Sequence, residues 1–465
     1  MHQRIAARLE AAYGASAAEH AAELARHFRF GREPIKAVAY LRLAASQAGA
    51  RGAHREAASY LTQALELIQG RTDIVDRDRL EMTLYAGLGP ALLATYGFGH
   101  PEVVRVVTRA LELAEELGDK EAALSALFAL TALLEYRSQH GLAEEMLQRI
   151  EPQKIAAAEL RLPYHALLAC VHFHHGEFGL SLEQGRNGLP LMDAKRSDPR
   201  FAYLGEEPAV GCSEWTAQAM WFLGYPDEAV RNIEYACATA EQPNRRFSLA
   251  STRSHAARIH QLRREPALAA SHAVATAALA DEQGYAYHRA VALILTGWAT
   301  GVLGDLEGGI AQVRRGIEAH RQTGAAMDRP YFEALLAELL LARGAHDEAL
   351  ELLGGAIAQL PKDRSYFYEA ELHRLRGEAL AASSQPGAPA EAEAELRKAL
   401  SIAHKQEARG LELRAVTSLA RLTMRRDPSE ARSLLEPVYD WFSEGLDTAD
   451  LVEARELLDA LARPA

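Results

Sequence analysis

Cys170 and His174 stand four residues apart, on one face of any helix that contains them, and His165, His172 and His175 crowd the same stretch. A thiolate and an imidazole at that spacing could fill two corners of a zinc tetrahedron. No second Cys/His pair at ligand spacing accompanies them. His174 and His175, followed by Gly176, also end a predicted helix, where the carbonyl end of the dipole favours histidine. Metal ligation and a plain helix terminus are the two readings of this stretch.

A second cluster is cationic. Arg246, Arg253, His260 and Arg264 follow one another at steps of seven, seven and four residues, which lines them along one helical face. Such a row could hold a phosphate, an acidic peptide or a nucleotide through charge-assisted hydrogen bonds. Ion pairing with Glu234, Glu241 or Glu265 competes for the same groups.

Other chemistries lack their residues. A phosphate-cradling ATPase loop ends in Gly-Lys-Ser/Thr, and no Gly-Lys pair occurs. There is no His-Glu-x-x-His zinc helix, no Gly-x-Ser-x-Gly elbow and no Cys-x-x-Cys pair. The chain reads as a non-enzyme without a cofactor. Any ATPase or cyclase activity would need modules that it does not carry.

The elements that must position these residues repeat. A small residue, an apolar residue four later and a small residue three further on recur at Ala57/Leu61/Ala64, Val103/Val107/Ala110, Ala229/Ile233/Ala236, Ala270/Val274/Ala277, Gly309/Val313/Gly316, Ala349/Leu353/Ala356, Ala392/Leu396/Ala399 and Ala431/Leu435/Val438. This is the narrow face that lets a second helix approach closely. From Ala236 the closing residues stand 41, 39, 40, 43 and 39 apart, and a period near 40 means stacked helical hairpins. A repeat array also explains how 465 residues exceed the roughly 250–300 at which one core stops growing.

Hydrophobic residues make up 49% but aromatics only 7%, so the interior is built mainly from Ala and Leu. The net charge of −12 argues against a nucleic-acid binder, which needs a basic surface to displace counterions. Arginine outnumbers lysine 44 to 7, the mark of a GC-rich coding genome rather than of guanidinium chemistry. Three scattered cysteines, Cys170, Cys212 and Cys237, imply no disulfide framework, and no apolar run approaches the ~18 residues that span a bilayer. A cytoplasmic protein is expected.

Helical patterns cover Ala17–Phe30, Pro34–Ala50 and Arg55–Ile68, then Asp78–Tyr96 with Pro101–Leu117, Glu121–Arg137 with Leu142–Ile150, and Glu159–His175 with Phe178–Met192. Prolines at starts and glycines past ends mark the boundaries. The expected organisation is an N-terminal half at 1–192, an irregular loop at 193–208, a C-terminal half at 209–443 and a capping helix within 444–465. In that cap Glu453, Arg455, Glu456 and Asp459 are expected on the exposed face. Trp215, Trp221, Trp298 and Trp441 are read as core.

The spacing resembles the tetratricopeptide family. With Ala349 opening the second helix of its unit, Leu336, Ala337 and Leu340 occupy packed positions of the first, and Pro361 lands at the family's terminal proline. Units near 40 residues exceed the family's usual 34 or so. A narrower resemblance rests on Glu207-Pro208-Ala209-Val210, Trp221 to Ala229, Arg329-Pro330-Tyr331-Phe332, Tyr368 to Glu378, Leu413 to Leu422 and Tyr439 to Leu451. These look like the tetratricopeptide tail of large bacterial signalling ATPases, in which AAA-type ATPases are fused to class III adenylate or guanylate cyclases, and of related transcriptional regulators.

The resemblance implies an all-α, right-handed solenoid of about ten hairpins, used as a protein-interaction and regulatory module of such a signalling system. In the family register the first-helix positions facing a concave groove are Tyr85, Glu214, Gln218, His255, Arg263, Trp298, Tyr331 and Glu338. A protein or peptide partner is expected there, with no nucleic acid and no membrane. The alternative is a sensor that holds an anionic small ligand between the array halves, through the arginine row.

Overall fold

A computed structural model describes residues 1–150, 155, 158–191, 207–241, 245–383 and 387–462, and among them every regular element is helical. Helices α1 (His2–Tyr13) and α2 (Ala21–Phe30), joined by a 3-10 segment at Gly14–His20, lead into ten hairpins. The first five pair α3 (Pro34–Ala50) with α4 (His54–Ile68), α5 (Arg77–Tyr96) with α6 (Pro101–Glu116), α7 (Lys120–Tyr136) with α8 (His140–Gln148), α9 (Ala158–His174) with α10 (Phe178–Gly188), and α11 (Pro208–Phe222) with α12 (Pro226–Ala240). The next five pair α13 (Arg246–Leu262) with α14 (Pro266–Gln283), α15 (Ala286–Val302) with α16 (Leu306–Gln322), α17 (Arg329–Ala342) with α18 (His346–Asp363), α19 (Glu369–Ala382) with α20 (Ala388–Lys405), and α21 (Arg409–Thr423) with α22 (Pro428–Tyr439). Helix α23 (Ala449–Leu461) ends the array. This is the expected tetratricopeptide-like α-solenoid. The 193–208 loop lies outside the described residues except at its end, where Pro208 is already the first residue of α11.

Local chemistry sets the boundaries. Proline starts α3, α6, α11, α12, α14 and α22, where its missing N–H leaves no intrahelical bond unmade. Asp119, Asp305 and Asp427 cap α7, α16 and α22 by accepting backbone N–H bonds. Two ends differ from the sequence pattern: the first part of Ala17–Phe30 is 3-10, and the helix from Phe178 stops at Gly188.

The small-residue seam is the contact between the two helices of each hairpin. A Cβ on Gly309 would lie 2.6 Å from the Gly301 backbone, and one on Gly316 2.5 Å from the Ile294 side chain, so α15 and α16 touch backbone to backbone. In α14 the seam is Ala269, Ala273 and Thr276, all buried, while Val274 is 55% exposed. The expected Ala270/Val274/Ala277 register is therefore one residue out. Once corrected, Ala236, Thr276, Gly316 and Ala356 stand forty residues apart.

Five hairpins complete one superhelical turn, and the second turn stacks on the first. The Tyr136 carbonyl at the end of α7 accepts from Ala326 N–H at 2.7 Å, just before α17, and the His174 carbonyl at the end of α9 accepts from Tyr366 N–H at 2.8 Å, just before α19. Helices α5 and α15 also touch, as do α11 and α21. Every one of these contacts reaches five hairpins forward. Between α5 and α6, Gly99 meets Gly324 so closely that a Cβ on Gly99 would lie 1.9 Å from the Gly324 carbonyl carbon. The stacked turns close the superhelical axis. No helix among the described residues is long and apolar enough to cross a membrane.

Candidate functional site

From α11 to α21 the first helix of each hairpin turns one residue per repeat towards the axis: Gln218, Arg258, Trp298, Glu338, Glu378 and Ser418, at forty-residue steps. They bond in pairs along the axis. Arg258 Nη1 donates to Gln218 Oε1 at 3.2 Å, Trp298 Nε1 to Glu338 Oε2 at 3.0 Å, and Ser418 Oγ to Glu378 Oε1 at 2.7 Å.

Around the Arg258 rung the axis is sealed. Asp328 accepts from Arg258 Nη2 at 3.0 Å and from the Tyr287 hydroxyl at 2.7 Å, and His174 Nε2 lies 3.4 Å from its other oxygen. The Arg258 guanidinium also lies over the Tyr331 ring, 4.8 Å from its centroid, and the Tyr331 hydroxyl donates to Gln261. Burial would raise the Asp328 carboxyl, but Arg258 and His174 outweigh it and hold the group well below the usual carboxylate range. Burial pushes the neighbouring imidazoles down, His288 to about 3 and His320 to about 4. Neutral histidines, one ion pair and their hydrogen bonds thus fill the middle of the molecule, tying α9 of the first turn to α13, α15 and α17.

Two repeats further the axis opens. A cavity of about 280 Å³ lies among α13, α17, α19, α21 and α23. Its floor is charged: Arg374 grips Glu371 through two bonds of 2.8 Å and Glu378 at 2.5 Å, while Arg414 reaches Asp450 at 2.8 Å, Glu371 at 3.3 Å and the Leu262 carbonyl at 2.5 Å. Arg264 and Arg421 form the rim and share Glu453, at 2.8 and 3.2 Å. Burial opposes ionisation of Glu371, but Arg374 and Arg414 hold its carboxyl at about 2. Glu338 has only the indole N–H, and burial raises its carboxyl.

Arg264 is also conformationally marked. It has φ +60, in the left-handed region, where the matching turns of other repeats carry Gly224, Gly304 and Gly344 and, between α7 and α8, Ser138 at φ +55. A non-glycine residue there is held at a cost of about 1–2 kcal/mol, and the gain is a guanidinium placed across the cavity mouth onto α23.

No family model matches the chain. A sequence relative, an uncharacterised protein of Rhizobium meliloti (strain 1021), is 25% identical over 433 residues, which are 91% of this chain and 41% of that protein. The chain thus spans about two fifths of that relative's length. Among solved structures, yeast Tom70 aligns with a TM-score of 0.41 at 14% identity, covering 96% of this chain and 95% of its own. A Rap protein complexed with competence and sporulation factor aligns at 0.40 and 13%, covering 74% and 99%. A signal-transduction ATPase with a tetratricopeptide repeat sensor, from Pyrococcus horikoshii, aligns at 0.37 and 14%, covering 92% and 74%.

The expected groove residues fall into separate places. Glu214, Gln218, Trp298 and Tyr331 lie inside the closed axis and are buried, because the second turn fills what a single turn would leave concave. His255 joins them, bonded to Gln218 at 2.7 Å and 3.5 Å from Glu214. Glu338 faces the cavity. Arg263 pairs with Asp227 and Glu265, both at 2.9 Å, and Tyr85 packs with Met82 and Leu113 away from the axis.

The arginine row does not converge either. Arg246 is exposed, Arg253 pairs with Glu241 at 3.5 Å, His260 with Glu265 at 2.6 Å, and only Arg264 reaches the cavity. Cys170 and His174 remain neighbours, Sγ to Nδ1 3.8 Å, but His174 is turned onto Asp328 while His172 pairs with Glu177 and His165 with Gln184. Among the described residues no three His, Cys, Asp or Glu side chains are grouped to hold an ion. Trp441 is 38% exposed, unlike the other tryptophans, and Glu453 of the cap turns inward to the rim. Of the missed residues, Arg258 and Glu378 stand one forty-residue step from Gln218 and Glu338, and Ser418 one step beyond Glu378.

Proposed function

We propose that this chain is a non-catalytic protein-interaction module that regulates a bacterial signalling ATPase or an adenylate or guanylate cyclase system. The stacking of two complete turns carries this reading. It makes the solenoid a self-braced body, with its polar ladder spent on internal bonds rather than on turnover chemistry. The motifs shared with signalling-ATPase tails supply the context, and a relative more than twice as long leaves room for modules on which such a body would act. The partner contacts the cavity rim, where the charged heads of Arg264, Arg421 and Glu453 are 39%, 47% and 34% exposed.

An anionic effector between the array halves has less support. Arg246, Arg253, His260 and Arg264 diverge, and each of the last three already has a carboxylate.

Two measurements test the proposal. The purified chain should hydrolyse neither ATP nor GTP above background; turnover would remove the non-catalytic part. Cross-linking from a cysteine placed at Arg421 should capture an ATPase or cyclase from the source cell, and capture of neither would remove the regulatory part.

A further inference from the structure

We infer that the axial cavity is a binding site for a small organic cation, an amine or a guanidine, with the Glu338 carboxylate as its counter-ion. This goes beyond the protein-interaction reading and does not depend on it.

The first observation is the charge balance. Four arginines and five carboxylates line the cavity, a formal excess of one negative charge. Each arginine has a carboxylate within 3.2 Å: Arg264 and Arg421 share Glu453, Arg374 has Glu371 and Glu378, and Arg414 has Asp450. Glu338 is the lining carboxylate that makes no ion pair among the described residues; Arg414 and Arg264 lower its carboxyl from a distance but do not outweigh burial. Its one bond is the Trp298 N–H. An arriving anion would have to break arginine pairs already made, several of them buried, whereas an arriving cation meets a carboxylate that burial disfavours and a positive charge would stabilise.

Shape agrees with charge. A volume of about 280 Å³ holds about nine water-sized groups, near the small end of ligand pockets. Leu341, Ala342 and Leu375 supply apolar wall for the methylenes of an aliphatic amine.

The test is thermal unfolding of the full chain at constant ionic strength, titrated with agmatine, with putrescine and with succinate as an anionic counterpart. Agmatine or putrescine should raise the melting temperature saturably, by about 3 °C at a hundredfold excess over Kd, and their ranking distinguishes guanidine from amine. Glu338→Gln, which keeps an oxygen for Trp298, should weaken the response at least tenfold. Ala342→Leu, which narrows the cavity from its exposed edge and leaves the carboxylate in place, should also weaken it. The inference is overturned by no saturable shift with either cation, by a shift that survives both substitutions, or by a larger shift with succinate.

Discussion

The Arg258 rung and the Glu338 rung occupy the same place in the repeat, forty-residue steps apart, yet one is sealed and the other opens on a cavity. At Arg258 the first turn brings His174 against Tyr287 and Asp328 of the second, so the arginine is matched and the site is filled. Over Glu338 the described residues lay no third turn: α19, α21 and α23 surround it instead. The single helix α23 covers the axis, sends in Asp450 and Glu453, and leaves Glu338 without an ion pair. A solenoid position is therefore structural or available according to what the next turn lays on it, not according to its own residue type.

Substitution sharpens this contrast. Asp328→Ala leaves Arg258 buried without its partner and should destabilise the chain by about 3–5 kcal/mol in urea unfolding, while Glu338→Gln should change stability by less than about 1 kcal/mol. Equal effects would break the distinction between the two rungs. The stacking itself is tested by Gly99→Ala, whose methyl group would collide with the Gly324 backbone. We expect a loss of about 1–3 kcal/mol. Gly344→Ala, at φ +82 with open space around it, should lose only about 1 kcal/mol from backbone strain.

A third prediction concerns acid. His288 is neutral when folded, with its pKa depressed to about 3, so its contribution is present above the unfolded value near 6.5 and is lost as pH falls towards 3. Stability should decline below pH 6.5, and His288→Leu should flatten that decline by about 1.4 kcal/mol per pH unit, read from urea midpoints at pH 7, 6 and 5. Arg264→Gly gives the smallest effect. Relief of the left-handed strain offsets loss of a half-exposed ion pair, leaving a change within about 0.5 kcal/mol. A loss of several kcal/mol would make Arg264 a structural strut instead of a rim group.

The forty-residue pulse was visible in residue spacing alone, since a helix contact as close as Gly309 on Gly301 admits only small residues. Register was less secure. Around Ala270 a run of alanines satisfies the pulse one position early, because small apolar residues on neighbouring faces look alike without a burial measurement. Groove residues were found at Gln218, Trp298 and Glu338 but read as an open surface. Nothing in their types says that a second turn will cover them.

The sequence by itself determined the hairpins: prolines and aspartates that start helices, glycines that end them, and a small-residue seam that sets the distance between partners. Only the tertiary structure decided that five hairpins complete a turn, that the turns stack through Gly99 and Gly324, and that one charged cavity remains under α23. Hairpin formation depends on contacts within about forty residues, which local pattern encodes. Closure of the axis depends on a small rotation added at every seam, and its sum over five hairpins has no local signature in the chain.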